Sequence, residues 1–314
     1  MPQVHLLHNP ASAKGRKVTD LLRRILAENP ALSRNLDIDW VSLKDLPRTA
    51  SEFSRFIVIG GDGTVNAGTE FLVRNDLNVP LGIVPAGTGN NLCSGLGLPP
   101  DPVEAFRIAL TSERIRPLDV IRIDTPDRDR PTYMVQTSAL GFPARICGQY
   151  DRLRRQKFLG TLSGTLGRTV YRVLALFGLA SQKIREKRGI GLLEIVCRFP
   201  EIEIRETALA VVIGNERSTG GDFIPCPQAA PDDGMIDVCL VKAGTGASYL
   251  SLFRSVAKGT HVGKYEAVWY RQTEGPLEIE LAEASPLLVD GDLPLTSDRY
   301  QFHLLPGRLK TVVA

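Results

Sequence analysis

The sequence predicts two domains: an α/β N-terminal domain built on an open parallel sheet, and a β-rich C-terminal domain of antiparallel strands. Three observations carry this reading. Short apolar runs alternate with helical periodicity from Val4 to Leu110, whereas from Leu118 onward strands follow one another, separated by turns. A chain of 314 residues is long for one hydrophobic core and comfortable for two domains, which usually hold ~100–200 residues each. The boundaries read as 1–117 for the first domain, completed by 296–314, and 118–295 for the second.

In the first domain, Val4 to Asn9 is a strand, and Pro10 to Arg16 is a polar connection. Val18, Leu21, Leu22, Ile25 and Leu26 then fall on one helical face. Ile38 to Leu43, Phe56 to Ile59 and Leu81 to Val84 supply three further strands, each spaced to leave room for a crossover, and Asp101 to Leu110 is a helix. In the second domain the strands are Val120 to Asp124, Tyr133 to Thr137, Leu193 to Phe199, Ile202 to Arg205, Leu209 to Ile213 and Ile236 to Val241. Leu277 to Leu281 alternates with period two, as a half-buried antiparallel strand does. Helices interrupt at about 145–180 and 248–258, and Tyr300 to Leu305 with Leu309 to Val313 reads as a strand pair.

The stretch from Phe56 to Asn66 organises the first domain. Ile57, Val58 and Ile59 form a β-branched run suited to burial on both faces. Gly60, Gly61 and Gly63 let successive N–H groups turn toward one point as an anion-binding nest. Val65, Thr69, Leu72 and Val73 open a helix whose N-terminus also favours phosphate. No Gly-Lys-Ser/Thr ending follows, so this is not a Walker-type loop, and Asn66 stands where a dinucleotide fingerprint has its third glycine. A plain strand-to-helix turn also uses paired glycines, but Asp62 between them points beyond it. Pro85 to Leu92 is a second small-residue turn after a neighbouring parallel strand, and in open α/β sheets ligands bind at the carboxyl ends of strands.

Composition narrows the function. Hydrophobic residues at 43% and charged residues at 23% are ordinary for a soluble globular protein, and a net charge of +3 does not imply nucleic acid. Cys93, Cys147, Cys197, Cys226 and Cys239 form no Cys-x-x-Cys pair, and the four histidines have no metal-ligand spacing, so the thiols read as reduced in a cytoplasmic protein. Met1 leads directly into a strand, without a basic segment and apolar core, so no signal peptide is visible. The apolar runs fall short of the ~20 residues that span a bilayer, which leaves only peripheral membrane contact.

With both loops in hand, the chain resembles the diacylglycerol kinase catalytic family, bacterial-type lipid kinases related to sphingosine kinases and more distantly to NAD kinases and phosphofructokinases. The matching blocks are Asn9-Pro10, Gly60 to Thr64 with Asn66, Pro85 to Asn90, Gly214-Asn215 with Gly220-Gly221 and Pro227, Asp232-Asp233-Gly234 with Asp237, and Asp290-Gly291-Asp292. The resemblance implies an NAD kinase/phosphofructokinase-like first domain and a β-sandwich second domain. Three departures stand out. Asn91 follows Asn90 where many diacylglycerol kinases have an aspartate, which is closer to the sphingosine-kinase type. Asp292 replaces the usual glutamate, and Ala67 stands where the family often has an acid, with Glu70 one turn on.

The resemblance also implies roles. Transfer of a γ-phosphoryl group requires positioned phosphates, a cation and an acceptor whose proton can leave. The nucleotide, ATP, would be held by Gly60, Gly61, Gly63 and Thr64, with Asn66, the Thr88 hydroxyl, Asn9 and Ser42. Asp62 would bind Mg²⁺ or belong to the acceptor network, and Asp290 would be the general base. Asp233 with Ala230 and Met235 would hold a structural Mg²⁺. Outside the motifs, residues 145–188 carry eleven Lys and Arg against Asp151 and Glu186. Leu162, Leu166, Val170, Val173, Leu174 and Phe177 form one helical face within it, a basic amphipathic helix. A solvated basic face covering the β-domain is the competing reading. The expected partners are a lipid substrate, most favoured as diacylglycerol, and a membrane surface at the inner face, with a homodimer as an option and no nucleic acid. A sphingoid or other long-chain alcohol kinase, an NAD kinase and a non-catalytic nucleotide or lipid sensor remain open alternatives.

Overall fold

The computed structural model describes residues 1–46, 53–87, 89–155, 191–219, 223–243 and 249–314. The chain forms two compact units, Met1–Val120 with Leu305–Ala314, and Ile121–Leu304. The sequence pattern places these boundaries at 117/118 and 295/296.

The first unit is an α/β domain. Its strands are β1 (Gln3–His8), β2 (Asp37–Ser42), β3 (Arg55–Gly60) and β4 (Pro80–Pro85). They lie in the order β2-β1-β3-β4, all parallel. The end of the last strand, β13 (Asp292–Val312), extends this sheet in parallel beside β4, with Lys310 opposite Pro80. Helices α1 (Ala13–Glu28), α2 (Asp62–Arg74), α3 (Asn91–Gly95) and α4 (Pro102–Thr111) follow their strands. Local chemistry sets the helix starts: Ser12 Oγ accepts from Gly15 N at 3.1 Å, and Asp101 accepts from Glu104 N at 2.9 Å ahead of Pro102. Phe56, Ile57, Val58 and Ile59 are all at 0% exposure, so β3 is buried on both faces as its β-branched run requires. Val18 and Leu22 of α1 and Phe106 and Ala109 of α4 complete that core.

The second unit is β-rich, as expected. It contains β5 (Ile115–Asp124), which begins in the first unit, β6 (Thr132–Met134), β7 (Thr137–Gly141), β8 (Leu193–Arg198), β9 (Glu203–Gly214), β10 (Ile236–Lys242), β11 (Val268–Thr273) and β12 (Leu277–Val289). β11, β10, β9, β7, β12 and β13 are successive antiparallel neighbours. β8 joins the first halves of β9 and β12, and β7 joins their second halves. Helix α5 (Phe142–Arg155) follows β7, and α6 (Tyr249–Ala257) follows β10. The core is Ile121, Leu140, Val211, Ile213, Val238, Leu287, Tyr300, Phe302 and their neighbours. Across the β8, β9 and β12 surface, Arg198 bonds Glu203, Glu278 and Glu280 at 2.7–2.9 Å. Exposed pairs of this kind contribute little stability.

Three strand readings are corrected. Ile202 to Arg205 and Leu209 to Ile213 are one strand, β9. Tyr300 to Leu305 and Leu309 to Val313 are not a pair but one strand, β13: Gly307 takes φ +58° and donates to Asp119 Oδ1 at 2.7 Å, so the chain bends there without turning back. β11 is missing from the sequence reading although Val268, Trp269, Tyr270 and Thr273 favour a strand, because Val268 to Gln272 are all only partly buried and show no alternation.

Tyr300 locks the β12–β13 pair internally: its hydroxyl donates to Ser285 O at 2.5 Å and accepts from Ser297 N at 2.8 Å at 0% side-chain exposure. Tyr300→Phe should leave both backbone groups without that partner and cost about 1–3 kcal/mol, read as a lowered urea midpoint at unchanged slope. An unshifted midpoint would mean that other partners satisfy them.

Candidate active site

Parallel register brings the first unit's loops to one edge. His8 lies opposite Ser42 and Ile59, and Gly60 lies opposite Pro85, so Asn9, Ser42, Gly60 to Thr64 and Pro85 to Asn91 all leave the carboxyl ends of neighbouring strands. Asn9 Oδ1 accepts from Ala11 N at 2.9 Å, and Ser42 Oγ accepts from Lys44 N at 3.2 Å, which fixes both turns.

The two glycine loops touch backbone to backbone. A Cβ on Gly61 would lie 2.8 Å from Gly87 Cα, and one on Gly87 would lie 2.3 Å from Gly61 Cα. Gly60 is as tightly placed, since a Cβ there would meet the Thr64 side chain at 2.4 Å. Ala86 N donates to Gly60 O at 2.8 Å, and Asn90, in the left-handed region at φ +54°, closes the second loop through Gly87 N and O at 2.8 and 3.1 Å. Asp62 begins α2, and Thr64 N bonds Gly61 O at 2.9 Å. The Asp62 carboxylate faces the second loop: Oδ1 is 3.5 Å from Leu92 N, and Oδ2 would be 2.7 Å from a Cβ on Gly89. Burial, reinforced by the Asp62 charge, pushes the Cys93 thiol up to about 12. Asn66 lies on α2, and Glu70 pairs with Arg74 at 2.6 Å along the same helix. Thr88 lies outside the described residues.

Asp290 occupies the β12–β13 turn at φ +47° and is 8% exposed. Its carboxylate accepts from three successive backbone N–H groups, Val135 at 2.9 Å, Gln136 at 2.9 Å and Thr137 at 3.0 Å. Its own N donates to Thr137 O at 2.9 Å. Such donors favour the charged carboxylate and fix its direction. From the other side, Asn215 Nδ2 donates to Val135 O at 3.0 Å, and Asn215 N and Glu216 N donate to Gln136 O at 2.8 and 3.0 Å. The Val135–Thr137 segment is therefore pinned by two of the sequence blocks, Gly214-Asn215 and Asp290-Gly291. Sequence reasoning gave Asn215 no role and read Tyr133 to Thr137 as one strand, whereas β6 ends at Met134 and β7 begins only at Thr137, because Val135 and Gln136 turn their N–H groups to Asp290; the signal was the Gly-Asn pair at a strand end.

Thr137 also lines an apolar cavity of about 130 Å³, walled by Phe142, Leu209, Val212, Leu252 and Leu288. Thr137 Oγ1 donates to Thr219 Oγ1 at 3.0 Å on the same lining. A larger hollow of about 1360 Å³ near α5 has a mixed lining, with Arg145, Arg152, Glu194 and Glu283 beside Leu192, Leu193 and Leu281.

The Asp233 turn offers oxygen donors only. Asp233 Oδ1 accepts from Met235 N at 3.0 Å, Asp233 N lies 3.4 Å from Ala230 O, and Gly234 takes φ +73°. One exposed carboxylate beside the backbone carbonyls of a tight turn is the donor type that a hard divalent cation takes, so these residues fit Mg²⁺. Four residues after Asp233, buried Asp237 bonds the Tyr270 hydroxyl, and burial raises its carboxyl to about 6. The basic stretch from 156 to 188, the greater part of the expected membrane helix, lies outside the described residues, as do Gly220 and Gly221. Among the described residues no helix is long and apolar enough to cross a membrane.

Comparison with known proteins supplies the class of this two-unit chain, a lipid kinase. Residues 3–123 match the diacylglycerol kinase catalytic domain, and residues 191–313 match the YegS C-terminal NAD kinase beta sandwich-like domain. The chain belongs to the diacylglycerol kinase catalytic family of lipid kinases. It is 26% identical over 313 residues to a Chromohalobacter salexigens protein named "Probable lipid kinase YegS-like", covering 97% of this chain and 91% of that one. It is 29% identical over 208 residues to a Mycobacterium tuberculosis protein named "Diacylglycerol kinase", covering 66% and 60%. A solved structure of a candidate diacylglycerol kinase from Bacillus anthracis str. Sterne shares the fold, with a TM-score of 0.75 at 21% identity over 100% of this chain and 95% of that one.

The Gly61–Gly87 contact leaves no room for a methyl group on either side. Gly87→Ala should separate the loops and weaken ATP binding about 10-fold or more, equivalent to ~1.4 kcal/mol, by isothermal calorimetry. Unchanged affinity would remove these loops from the nucleotide site.

Proposed function

We propose that this lipid kinase transfers the γ-phosphate of ATP to the free hydroxyl of diacylglycerol, giving phosphatidic acid. The observation that carries the choice of an acyl-chain lipid is the apolar cavity whose lining residue Thr137 donates its N–H to Asp290. An acyl segment in that cavity would place its polar end beside the pinned carboxylate.

The phosphates lie on the glycine loops, over Gly60, Gly61, Gly63 and Thr64 with Asn66 and Thr88, while Asn9 and Ser42 flank them at neighbouring strand ends. Asp290 takes the hydroxyl proton as the acceptor oxygen attacks, and the backbone amides of Val135, Gln136 and Thr137 keep its carboxylate aimed. Asp62 faces the second loop and would offer a carboxylate to a cation there. Asp233 with Ala230 and Met235 would hold a structural Mg²⁺ at their turn, and a Mg²⁺ held by Asp62 would supply charge neutralisation to the phosphates. The protein works in the cytoplasm at the inner membrane face, with the basic 145–188 segment against anionic lipid, where each cation adds about 1 kcal/mol.

Radiolabelled ATP offered with diacylglycerol, a sphingoid base, a long-chain alcohol and NAD should label phosphatidic acid first. Label in another acceptor would reassign the substrate, and label in none would refute the proposal. Asp290→Asn should bind ATP normally and lose about 10²–10⁴-fold in turnover. Retained turnover would release Asp290 from the role of base.

A further inference from the structure

Tyr270 lies outside every sequence motif, on β11, yet its hydroxyl reaches both ends of the Asp233 turn. It donates to Asp237 Oδ1, just beyond Met235, and accepts from Gln228 N at 3.3 Å, just ahead of Ala230. The turn that carries the oxygen donors therefore begins and ends on one oxygen atom. Strand register accounts for the reach: Asp237 lies opposite Gln272 in the β10–β11 ladder, so Tyr270 and Gln272 share a face with it. Gln272 Nε2 approaches the other carboxylate oxygen, Oδ2, at 3.4 Å.

Strand pairing does not require this arrangement. The ladder already runs from Val241 opposite Val268 to Ile236 opposite Thr273, and the other face of β11 packs Trp269 on Phe199 at 5.4 Å. The bond to Gln228 N adds nothing to that ladder, and Asp237 at 0% exposure is a costly group to bury for packing alone. Within the turn, Asp233 N lies 3.4 Å from Ala230 O, Met235 N donates to Asp233 Oδ1 at 3.0 Å, and Gly234 takes φ +73°. These short-range contacts curve the chain without fixing the separation of its ends. A cation taken by two carbonyls and one carboxylate of a single turn depends on that separation, and groups behind the ligands commonly set it.

We propose that Tyr270 is a positioning residue for the divalent cation of this turn: its hydroxyl, held between Asp237 and Gln228 N, sets the spacing of the Ala230 and Met235 carbonyls and the aim of Asp233. This rests on the reading of the Asp233 turn as a Mg²⁺ site. Without the hydroxyl the ladder and the ring packing stay, but the ends of the turn part, and the cation must order them on binding.

Mn²⁺ titrated into the full chain without nucleotide, followed by electron paramagnetic resonance, tests it with a paramagnetic stand-in for Mg²⁺. Tyr270→Phe should weaken Mn²⁺ binding about 10-fold or more, the loss typical of a group behind the ligands, and should shrink the rise in melting temperature that Mg²⁺ produces. Trp269→Phe, on the same strand but facing away from the turn, should lower the melting temperature and leave Mn²⁺ affinity unchanged. Unchanged affinity in Tyr270→Phe would overturn the proposal. So would equal weakening in both variants, which would make Tyr270 one more packing residue of the strand. If the unsubstituted chain binds no Mn²⁺, or if Asp233→Ala binds it equally well, the reading of the turn fails and the role of Tyr270 falls with it.

Discussion

Two backbones at van der Waals distance set the geometry of the first unit's carboxyl edge. Gly61 and Gly87 lie at the ends of adjacent parallel strands, and their α-carbons are close enough that neither residue tolerates a side chain. Much else follows from that approach. The loop after β3 can enter α2 directly, with Thr64 folded back beneath Gly60, and the loop after β4 must be closed from within by Asn90. Both loops are thereby held at one edge of the sheet, with Thr64 N, Ala86 N and Gly87 N each bonded within or between them.

The second unit solves a different problem, the fixing of a carboxylate. Asp290 sits in a strained left-handed turn, and such conformations persist only where surroundings over-determine them. Here the surroundings are the three consecutive amides of Val135, Gln136 and Thr137, themselves held by Asn215 and Glu216. The acid is rigid because an entire strand connection is built around it. An apolar cavity opening on the same Thr137 joins a charged group to a hydrocarbon surface through one backbone unit.

The fold was legible where physics is local. β-branched runs, the glycine loops and helix caps such as Asp101-Pro102 state their structure within a few residues, and strands β1 to β4 fall within a residue or two of where periodicity places them. Legibility failed where structure depends on distant partners. β11 is half-buried along its length and takes its identity from β10, while β13 runs through Pro306-Gly307 because Asp119, far back in the chain, receives the Gly307 amide. The same holds for the site. Glycines, Asp62 and Asp290 announce themselves through motifs, but Val135, Gln136 and Thr137 carry no motif and are tied to Asp290 only by bonds that span more than 150 residues.

All five cysteines are free and buried, and burial pushes the thiols of Cys93, Cys197 and Cys239 up to about 12, with Cys226 also well above its ordinary value. The thiolate is the reactive species, so the native sulfurs are poor targets for alkylating reagents and peroxide. With every native thiol buried, a single cysteine introduced on an exposed loop would be the accessible one, so it could carry a fluorophore or spin label ahead of the native sulfurs.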